Sequence, residues 1–279
     1  MPGLPARGPA VRELRLPLPP HRMPAWRRGA LLKRWRYVGV YTPELLLCVG
    51  RARIGPVPRQ WWAVALPDGT LYQGSSTRRA GVVLDGTAVR VQAPEASIEL
   101  AFEDSAGVET VSPVGERGNH AWTSKRAGVP IRGSVVVGGR EHRIDGPHGF
   151  IDDSAGYHAR HTAWKWSAGL GQTEDGGRVG WNVVSGIHDA AQASERTLWV
   201  DGRPHELGAV EFAADLSRVS FRDGGALDFK EWSVREERTN LLLLRSAYRQ
   251  PFGTFSGELP EGLRLCEGYG VMEDHEVWW

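Results

Sequence analysis

The sequence has little cysteine and no long apolar run, and each shortage excludes a class of protein. Its two cysteines, Cys48 and Cys266, are far apart and match no Cys/His ligand spacing, which argues against a disulfide framework or a structural zinc site. A reducing cytoplasm is therefore the expected location, although a single disulfide between the two stays open because the sequence cannot place their Cα atoms. Apolar runs such as the leucines at 241–244 are far too short for a spanning helix, so we expect no membrane span.

An excess of one charge is also lacking, because 34 Lys and Arg residues face 33 Asp and Glu residues. The formal net charge of +1 provides no field that would steer the chain to nucleic acid or to an anionic membrane, and we expect neither as a partner. The basic residues are overwhelmingly Arg, which we attribute to genome composition rather than to an anion site. Residues 1–30 are rich in Pro and Arg and lack the apolar segment of a secretory signal, so they predict an extended arm.

Helix patterns are scarce as well, and the absence of alternating strands and helices argues against Rossmann, flavodoxin-like and TIM-barrel folds. The sequence has instead short β-branched and aromatic runs separated by Asp-Gly or Gly-Gly pairs, which favour hairpin turns. Five such turns lie at residues 68–69, 85–86, 138–139, 201–202 and 223–225. The predicted fold class is all-β and antiparallel.

A stretch rich in Gly, Asp and His near residues 140–176 separates two hairpin-rich regions. We therefore predict the extended arm over 1–30, an N-terminal β module over 31–150 and a C-terminal β module over 151–279. One continuous sheet system is the alternative, because no clean sequence repeat relates the two halves.

Two boxes of uncommon residues carry a family resemblance. The first is D-x(3)-G-Y-x(6)-W-x-W, starting at Asp152, and the second is the closing E-D-H-x-x-x-W box of Glu273, Asp274, His275 and Trp279. With these boxes, residues 30–279 resemble an uncharacterised bacterial family known as a domain of unknown function. That family is distantly similar to the carotenoid 1,2-hydratase (hydroxyneurosporene synthase) group. The resemblance implies two lipocalin-like β-barrels or half-barrels side by side, with a hydrophobic pocket in or between them.

The two boxes also hold the candidate catalytic residues. A carboxyl and an imidazole can transfer protons near neutral pH when burial or a neighbouring charge shifts their pKa, and tryptophans can supply the apolar wall. The candidates are Asp152, Asp153, Tyr157, His158, Asp274 and His275. Turn formation by the aspartates, and hydrogen bonds that tie the last strand to the 150–160 loop, are the alternatives. We hypothesise that Asp152 or Asp153 approaches His275 across the module interface, while Asp274 and His275 alternate and cannot face one pocket without a bulge.

The twelve tryptophans suit the lining of a site for a flat or extended apolar ligand, with core packing as the alternative. Strand alternation puts Trp164 and Trp166 on one face, and it puts Asn182 on the face opposite Trp181. The candidate ligand-binding residues are Trp164, Trp166, Trp181, Asn182, Trp199 and Trp232. We expect a pocket lined by at least two of the four tryptophans Trp164, Trp166, Trp181 and Trp199.

Three functions stay open on the sequence alone. The first is binding of a hydrophobic small molecule, isoprenoid or polyketide-like, in an aromatic-lined pocket. The second is a hydratase, isomerase or cyclase that needs no cofactor, and the third is a carbohydrate-binding module. Nucleophile-elbow, phosphate-loop, dinucleotide and paired metal-ligand motifs are absent, so we expect neither a metal nor a cofactor. An enzyme needs acid-base groups that converge inside the pocket, whereas a carrier needs only a dry pocket and a sugar binder an open aromatic groove. The ligand and the oligomeric state do not follow from the sequence.

Overall fold

The computed structural model describes residues 3–77, 81–103, 105–241 and 244–279. The regular secondary structure of these residues is almost wholly β-strand, with one helical turn, α1 (Ala10–Glu13), and one 3-10 turn (Pro260–Gly262). Every strand pair among them is antiparallel, which confirms the predicted fold class. Three short strands lie in the N-terminal segment: β1 (Ala6–Arg7), β2 (Trp26–Arg27) and β3 (Ala30–Leu31).

A curled half-barrel sheet of eleven described strands forms the first half of the fold. Besides β1 it contains β4 (Lys33–Tyr41), β5 (Leu46–Ile54), β6 (Val57–Ala65), β7 (Leu71–Ser76), β8 (Val82–Asp85), β9 (Ala88–Ala93), β10 (Ala96–Phe102), β11 (Val108–Val114), β12 (Asn119–Val137) and β13 (Arg140–Gly156). The strand order is β7-β6-β5-β4-β13-β12-β10-β9-β8, and β11 pairs with both β12 and β1.

A second curled half-barrel sheet of nine described strands lies beside the first. It contains β14 (His161–Thr173), β15 (Arg178–Ser185), β16 (Thr197–Val200), β17 (Arg203–Glu206), β18 (Val210–Phe212), β19 (Arg218–Phe221), β20 (Ala226–Leu241), β21 (Leu244–Leu259) and β22 (Leu263–Trp278). The strand order is β17-β16-β15-β14-β22-β21-β20-β19-β18, so β14 and β22, the first and last strands of this sheet in sequence, pair at its centre.

All five turns predicted from the sequence join strands that pair as hairpins. The turn between β12 and β13 shows why glycine is required there. Gly138 and Gly139 have φ angles of 57° and 76°, in the left-handed region that side chains other than glycine rarely adopt.

Three apolar layers hold the fold together, and strand alternation builds them. On β13, Phe150 packs between the two sheets while its neighbour Ile151 packs inside the first. On β22, Val271 packs between the sheets while Met272 packs inside the second. Each large apolar side chain buried in this way stabilises the fold by about 1.5–3 kcal/mol. The layer between the sheets joins them and ends at the candidate site.

The chain passes from the first sheet to the second between Gly156 and His161, a few residues after the predicted boundary at 150/151. The difference arises because β13 continues to Gly156 and pairs with β4 along Gly149 to Gly156. The stretch around Asp152 is therefore strand rather than the glycine-flanked loop that its composition suggests.

The N-terminal segment packs on the first sheet, where the sequence predicts an extended arm. Its side chains Val11, Leu18 and Met23 are buried in a cluster with Trp122 and Tyr157. These apolar residues are spaced among prolines and arginines, so the overall composition of the segment does not indicate that it is packed. In the structure their side chains cover one face of the sheet.

The two cysteines are both free, Cys48 buried and Cys266 exposed, so they form no disulfide with one another. Burial raises the pKa of the Cys48 thiol to about 12. Among the described residues, no helix has the length and apolar character needed to cross a membrane.

Candidate functional site

A cavity of about 150 Å³ lies between the two sheets, at one end of the apolar layer that joins them. We call it the inter-sheet cavity. Its walls come from alternate residues of several strands, because every second side chain of a strand points to the same face. Examples are Trp35 and Tyr37 on β4 in the first sheet, and Trp164 and Trp166 on β14 in the second.

Glu273 is the buried acid of the cavity wall, on β22. Its Oε1 accepts a hydrogen bond from Trp164 Nε1 at 2.7 Å, and its Oε2 accepts from Tyr248 OH at 3.0 Å and Gln250 Nε2 at 3.3 Å. Burial raises the pKa of Glu273 to about 7, although the hydrogen bonds from Trp164 and Tyr248 favour the charged form. At neutral pH this carboxyl is therefore protonated for a large part of the time.

His275 follows on the same strand face and is held as a neutral imidazole. Its Nε2 lies 2.8 Å from Ser246 Oγ, and its ring lies 4.4 Å from Trp164 and 5.0 Å from Tyr248 between centroids. Burial lowers the pKa of His275 to about 3, and the charges of two nearby arginines act in the same direction.

A buried ion cluster from both sheets forms another part of the wall. Lys125 Nζ lies 2.6 Å from Asp152 Oδ1 and 3.3 Å from Glu195 Oε1. Burial alone would lower the pKa of Lys125, but the two carboxylates raise it above its ordinary value, so Lys125 stays charged. Burial raises the pKa of Asp152 against the effect of Lys125, and the charge of Glu195 adds to the rise.

Glu195 has one carboxylate oxygen to spare. Its side chain is buried, and Oε2 has no hydrogen-bond partner within the described chain. Because buried polar atoms are almost always hydrogen-bonded, a spare acceptor in a cavity wall is suited to a bound molecule.

The structure brings four of the candidate residues to this cavity: Asp152, His275, Trp164 and Trp166. Asp152 and His275 thus line one cavity from opposite sheets, in line with the hypothesis that the two boxes meet across the module interface. On β14, Trp164 and Trp166 share the cavity face as the strand alternation predicts.

The other four catalytic candidates lie elsewhere. Asp153 points to the opposite face of β13, where it pairs with Arg36 and Arg126. Tyr157 donates to the carbonyl of Pro24 in the N-terminal segment. The structure places two further candidates outside the cavity lining: His158, stacked on Trp35, and Asp274, paired with Lys165.

The remaining ligand-binding candidates pack in the cores. Trp181 lies inside the second sheet, because it alternates with the cavity-facing residues of β15. Trp199 and Trp232 belong to the apolar layer between the sheets but not to the cavity wall. Asn182 does not line the cavity but bonds to two residues that do. Its Oδ1 accepts from Trp166 Nε1 at 2.8 Å, and its Nδ2 donates to the backbone carbonyl of Glu195 at 2.9 Å.

Sequence reasoning missed several wall residues, among them Lys125, Glu195 and Tyr248. They lie on β12, in the loop before β16 and on β21, far from both boxes in sequence. A signal did exist for Glu273, since it stands two residues before His275 and so shares its strand face. Another existed for Trp35 and Tyr37, which alternate on β4.

Comparison with solved structures shows the same fold in several proteins. AttH of Nitrosomonas europaea has 13% identity and a TM-score of 0.54, with 87% of this chain and 91% of that chain covered. Kievitone hydratase of Nectria haematococca has 15% identity and a TM-score of 0.54, with 87% and 88% covered. CghA has 13% identity and a TM-score of 0.50, with 88% of each chain covered.

A search of curated proteins found no match. These three structures have the same fold as this chain, two curled half-barrel sheets side by side, which is the architecture that the resemblance implies. The family model named "Domain of unknown function (DUF2804)" matches residues 73–279, which confirms the resemblance to an uncharacterised family. Since the match covers most of the chain, the protein belongs to the DUF2804 family.

Proposed function

We propose that the protein is a cofactor-free acid-base enzyme, of hydratase, isomerase or cyclase type, that acts on an apolar small molecule in the inter-sheet cavity. The observation that carries this proposal is the buried carboxyl of Glu273, whose pKa is raised to about 7 in an aromatic wall. A carboxylic acid that is partly protonated at neutral pH can give a proton to a bound molecule. One protein of the same fold, kievitone hydratase, is named for this type of reaction.

The hydrogen bonds of Glu273 leave room for its proton. An ionised carboxylate has about four lone-pair positions. Trp164, Tyr248 and Gln250 use three of them, so one position is left for the transferable proton. The three donors also hold the carboxyl in one orientation, which favours transfer to a molecule in the cavity rather than to solvent.

The ion cluster supplies the proton acceptor that such a reaction needs. In a hydration, the Glu273 proton bonds to one alkene carbon and a water oxygen bonds to the other, while the spare oxygen of Glu195 takes the proton that the water loses. In an isomerisation or cyclisation, the same oxygen takes a proton from the substrate cation. Lys125 holds Glu195 in place at 3.3 Å and stabilises its negative charge.

The size and surface of the cavity suit an apolar ring or chain segment. An engineered apolar cavity of about 150 Å³ holds benzene, so a cavity of this volume holds one ring of a ligand. The N–H groups of Trp164 and Trp166 are bonded to Glu273 and Asn182, and both rings therefore offer apolar surface to the ligand. This site lies between two packed sheets, whereas a carbohydrate-binding module needs an aromatic groove on an exposed surface.

The test uses isotope incorporation, which detects turnover whatever the product is. The protein is incubated with a panel of apolar enones and polyenes in H₂¹⁸O and, separately, in D₂O, and the products are analysed by mass spectrometry. We expect both ¹⁸O and deuterium incorporation for a hydration, and deuterium incorporation without ¹⁸O for an isomerisation or cyclisation. Glu273→Gln should lower the rate by about 100-fold or more, as for loss of a general acid.

Glu276→Gln is the matched control, because Glu276 lies three residues further along the same strand with an exposed side chain. It should keep the wild-type rate. Equal rates in wild type and Glu273→Gln would refute the role of this acid. Saturable binding of panel members without any incorporation would instead favour a binding protein.

A further inference from the structure

Four arginines on two neighbouring strands form a compact group in the first sheet. Arg34 and Arg36 lie on β4, and Arg51 and Arg53 lie on β5, so each pair projects to one face of the sheet. In the strand register Arg34 stands directly opposite Arg53, and Arg36 stands directly opposite Arg51. We call these four residues the arginine square.

This arrangement is unfavourable without a counter-charge. Like charges directly opposite one another on paired strands are destabilising, and here two such pairs stand side by side. Arg36 has Asp153 at 3.4 Å, and Arg53 Nε donates to the Gly55 carbonyl at 3.1 Å. The guanidinium groups of Arg34 and Arg51 have no hydrogen-bond or ion-pair partner among the residues that the structure describes.

All four side chains line a second cavity, of about 1090 Å³, which is distinct from the acid-base site between the sheets. It lies within the curve of the first sheet, on the same strand face as Val38, whose side chain packs inside that sheet. Two carboxylates also line it, and both are already paired. Asp153 pairs with Arg36 and Arg126. Glu109 pairs with Arg12 and accepts from Trp122 Nε1 at 3.1 Å. Among the described residues that line it, the cavity therefore presents unneutralised positive charge at Arg34 and Arg51, although the whole chain carries a formal charge of only +1.

We propose that the arginine square binds a multiply charged small-molecule anion that carries phosphate or carboxylate groups. Planar guanidinium groups bind these groups through paired hydrogen bonds, and two unpartnered arginines on adjacent strands can do so together. The volume is of the order that holds a whole small molecule, about 300–1,000 Å³. The arginine content of the chain thus has a local role that composition alone does not reveal. This site is independent of the proposed enzyme activity.

The test combines calorimetric titration with thermal unfolding on the full chain, in 50 mM and 300 mM NaCl. Inorganic pyrophosphate and citrate are the two probes, which distinguish a phosphate from a carboxylate ligand, and a short RNA is the third. We expect saturable binding of pyrophosphate, citrate or both, weaker at the higher salt concentration. A double variant, Arg34→Gln with Arg51→Gln, should lose about tenfold or more in affinity.

The same double variant should lose anion affinity but gain thermal stability. Without anion it should unfold at a Tm about 1–3 °C above wild type, because it removes two like-charge contacts. A merely structural role for these arginines would lower the Tm instead. Arg90→Gln is the matched control, since Arg90 stands opposite Glu99 on paired strands and its loss should leave the anion affinity unchanged.

Three results would overturn the proposal. The first is no binding of either anion at 50 mM NaCl. The second is equal affinity in wild type and the double variant, which would place the anion elsewhere. The third is arginine-dependent binding of RNA that exceeds binding of both small anions, which would make the site a nucleic-acid contact.

Discussion

Replacing Glu273 by glutamine should change how the stability of the protein depends on pH. In the folded chain the pKa of Glu273 is raised from its ordinary value of 4.5 to about 7, because burial disfavours the charged form. Between pH 4.5 and 7 the folded state therefore holds a proton that the unfolded state has lost. Wild-type stability from this group is fully present below pH 4.5 and falls as the pH rises to 7. At about 1.36 kcal/mol for each pKa unit, the fall amounts to about 3 kcal/mol.

The wild-type curve alone would hide this effect, because His275 acts in the opposite direction. Burial lowers the pKa of His275 from 6.5 to about 3, so its contribution to stability is lost as the pH falls below 6.5. The informative quantity is the difference in unfolding free energy between wild type and Glu273→Gln. It should shift in favour of the variant by about 3 kcal/mol between pH 4.5 and 8.

The assay is urea unfolding, followed by tryptophan fluorescence, at half-unit steps from pH 4.5 to 8. Glu99→Gln serves as the control, because its side chain is exposed and faces Arg90, which keeps its charge over the whole range. Its difference should change far less with pH than that of Glu273→Gln. A flat difference for Glu273→Gln as well would mean that the buried carboxyl is ionised throughout. That result would remove the acid on which the proposed function depends.

Three further predictions concern the walls and the cysteines. Lys125→Met should lower the unfolding free energy, measured by urea unfolding at pH 7, by about 3–5 kcal/mol, because it leaves two buried carboxylates without their cation. An unchanged unfolding free energy would mean that solvent reaches the cluster. Asn182→Ala should lower it by about 1–3 kcal/mol and weaken binding of an apolar fluorescent probe, because Trp166 loses its hydrogen bond; unchanged probe binding would contradict its role in holding the wall. In the folded protein Cys266 should react with Ellman's reagent at pH 8 while Cys48, buried and with a pKa of about 12, should not, and release of two thiols before unfolding would refute the burial of Cys48.

Local signals in the sequence predict the fold class well. The turn at Gly138 and Gly139 needs glycine whatever the rest of the chain does, and the alternating runs on either side can bury only one face. Such signals depend on neighbours in sequence, so a single chain is enough to read them. The residue at which the chain passes from the first sheet to the second depends instead on contacts between residues that are distant in sequence. The strand that ends at Gly156 is prolonged by pairing with β4, which lies more than a hundred residues earlier.

The candidate site could be predicted only where its residues are neighbours in sequence. Trp164 and Trp166 stand two positions apart, and strand alternation alone puts them on one face. Lys125 and Glu195 meet at 3.3 Å because two sheets pack against each other, and no spacing in the sequence encodes that contact. Pairing across sheets is thus the part of the site that needed the structure.

The contrast between Asn182 and Trp181 shows what alternation can and cannot decide. The pattern predicts that the two residues point to opposite faces of β15, and they do. It does not say which face meets the cavity, because both faces of the second sheet are covered: one by its own core and the other by the first sheet. Trp181 fills the core, and Asn182 reaches the cavity wall, where it bonds to Trp166 at 2.8 Å. A large aromatic side chain can pack in either core, whereas a buried amide needs hydrogen-bond partners. In a fold of two half-barrels packed side by side, a polar residue amid apolar neighbours is therefore a better indicator of the inter-sheet face than a large aromatic residue.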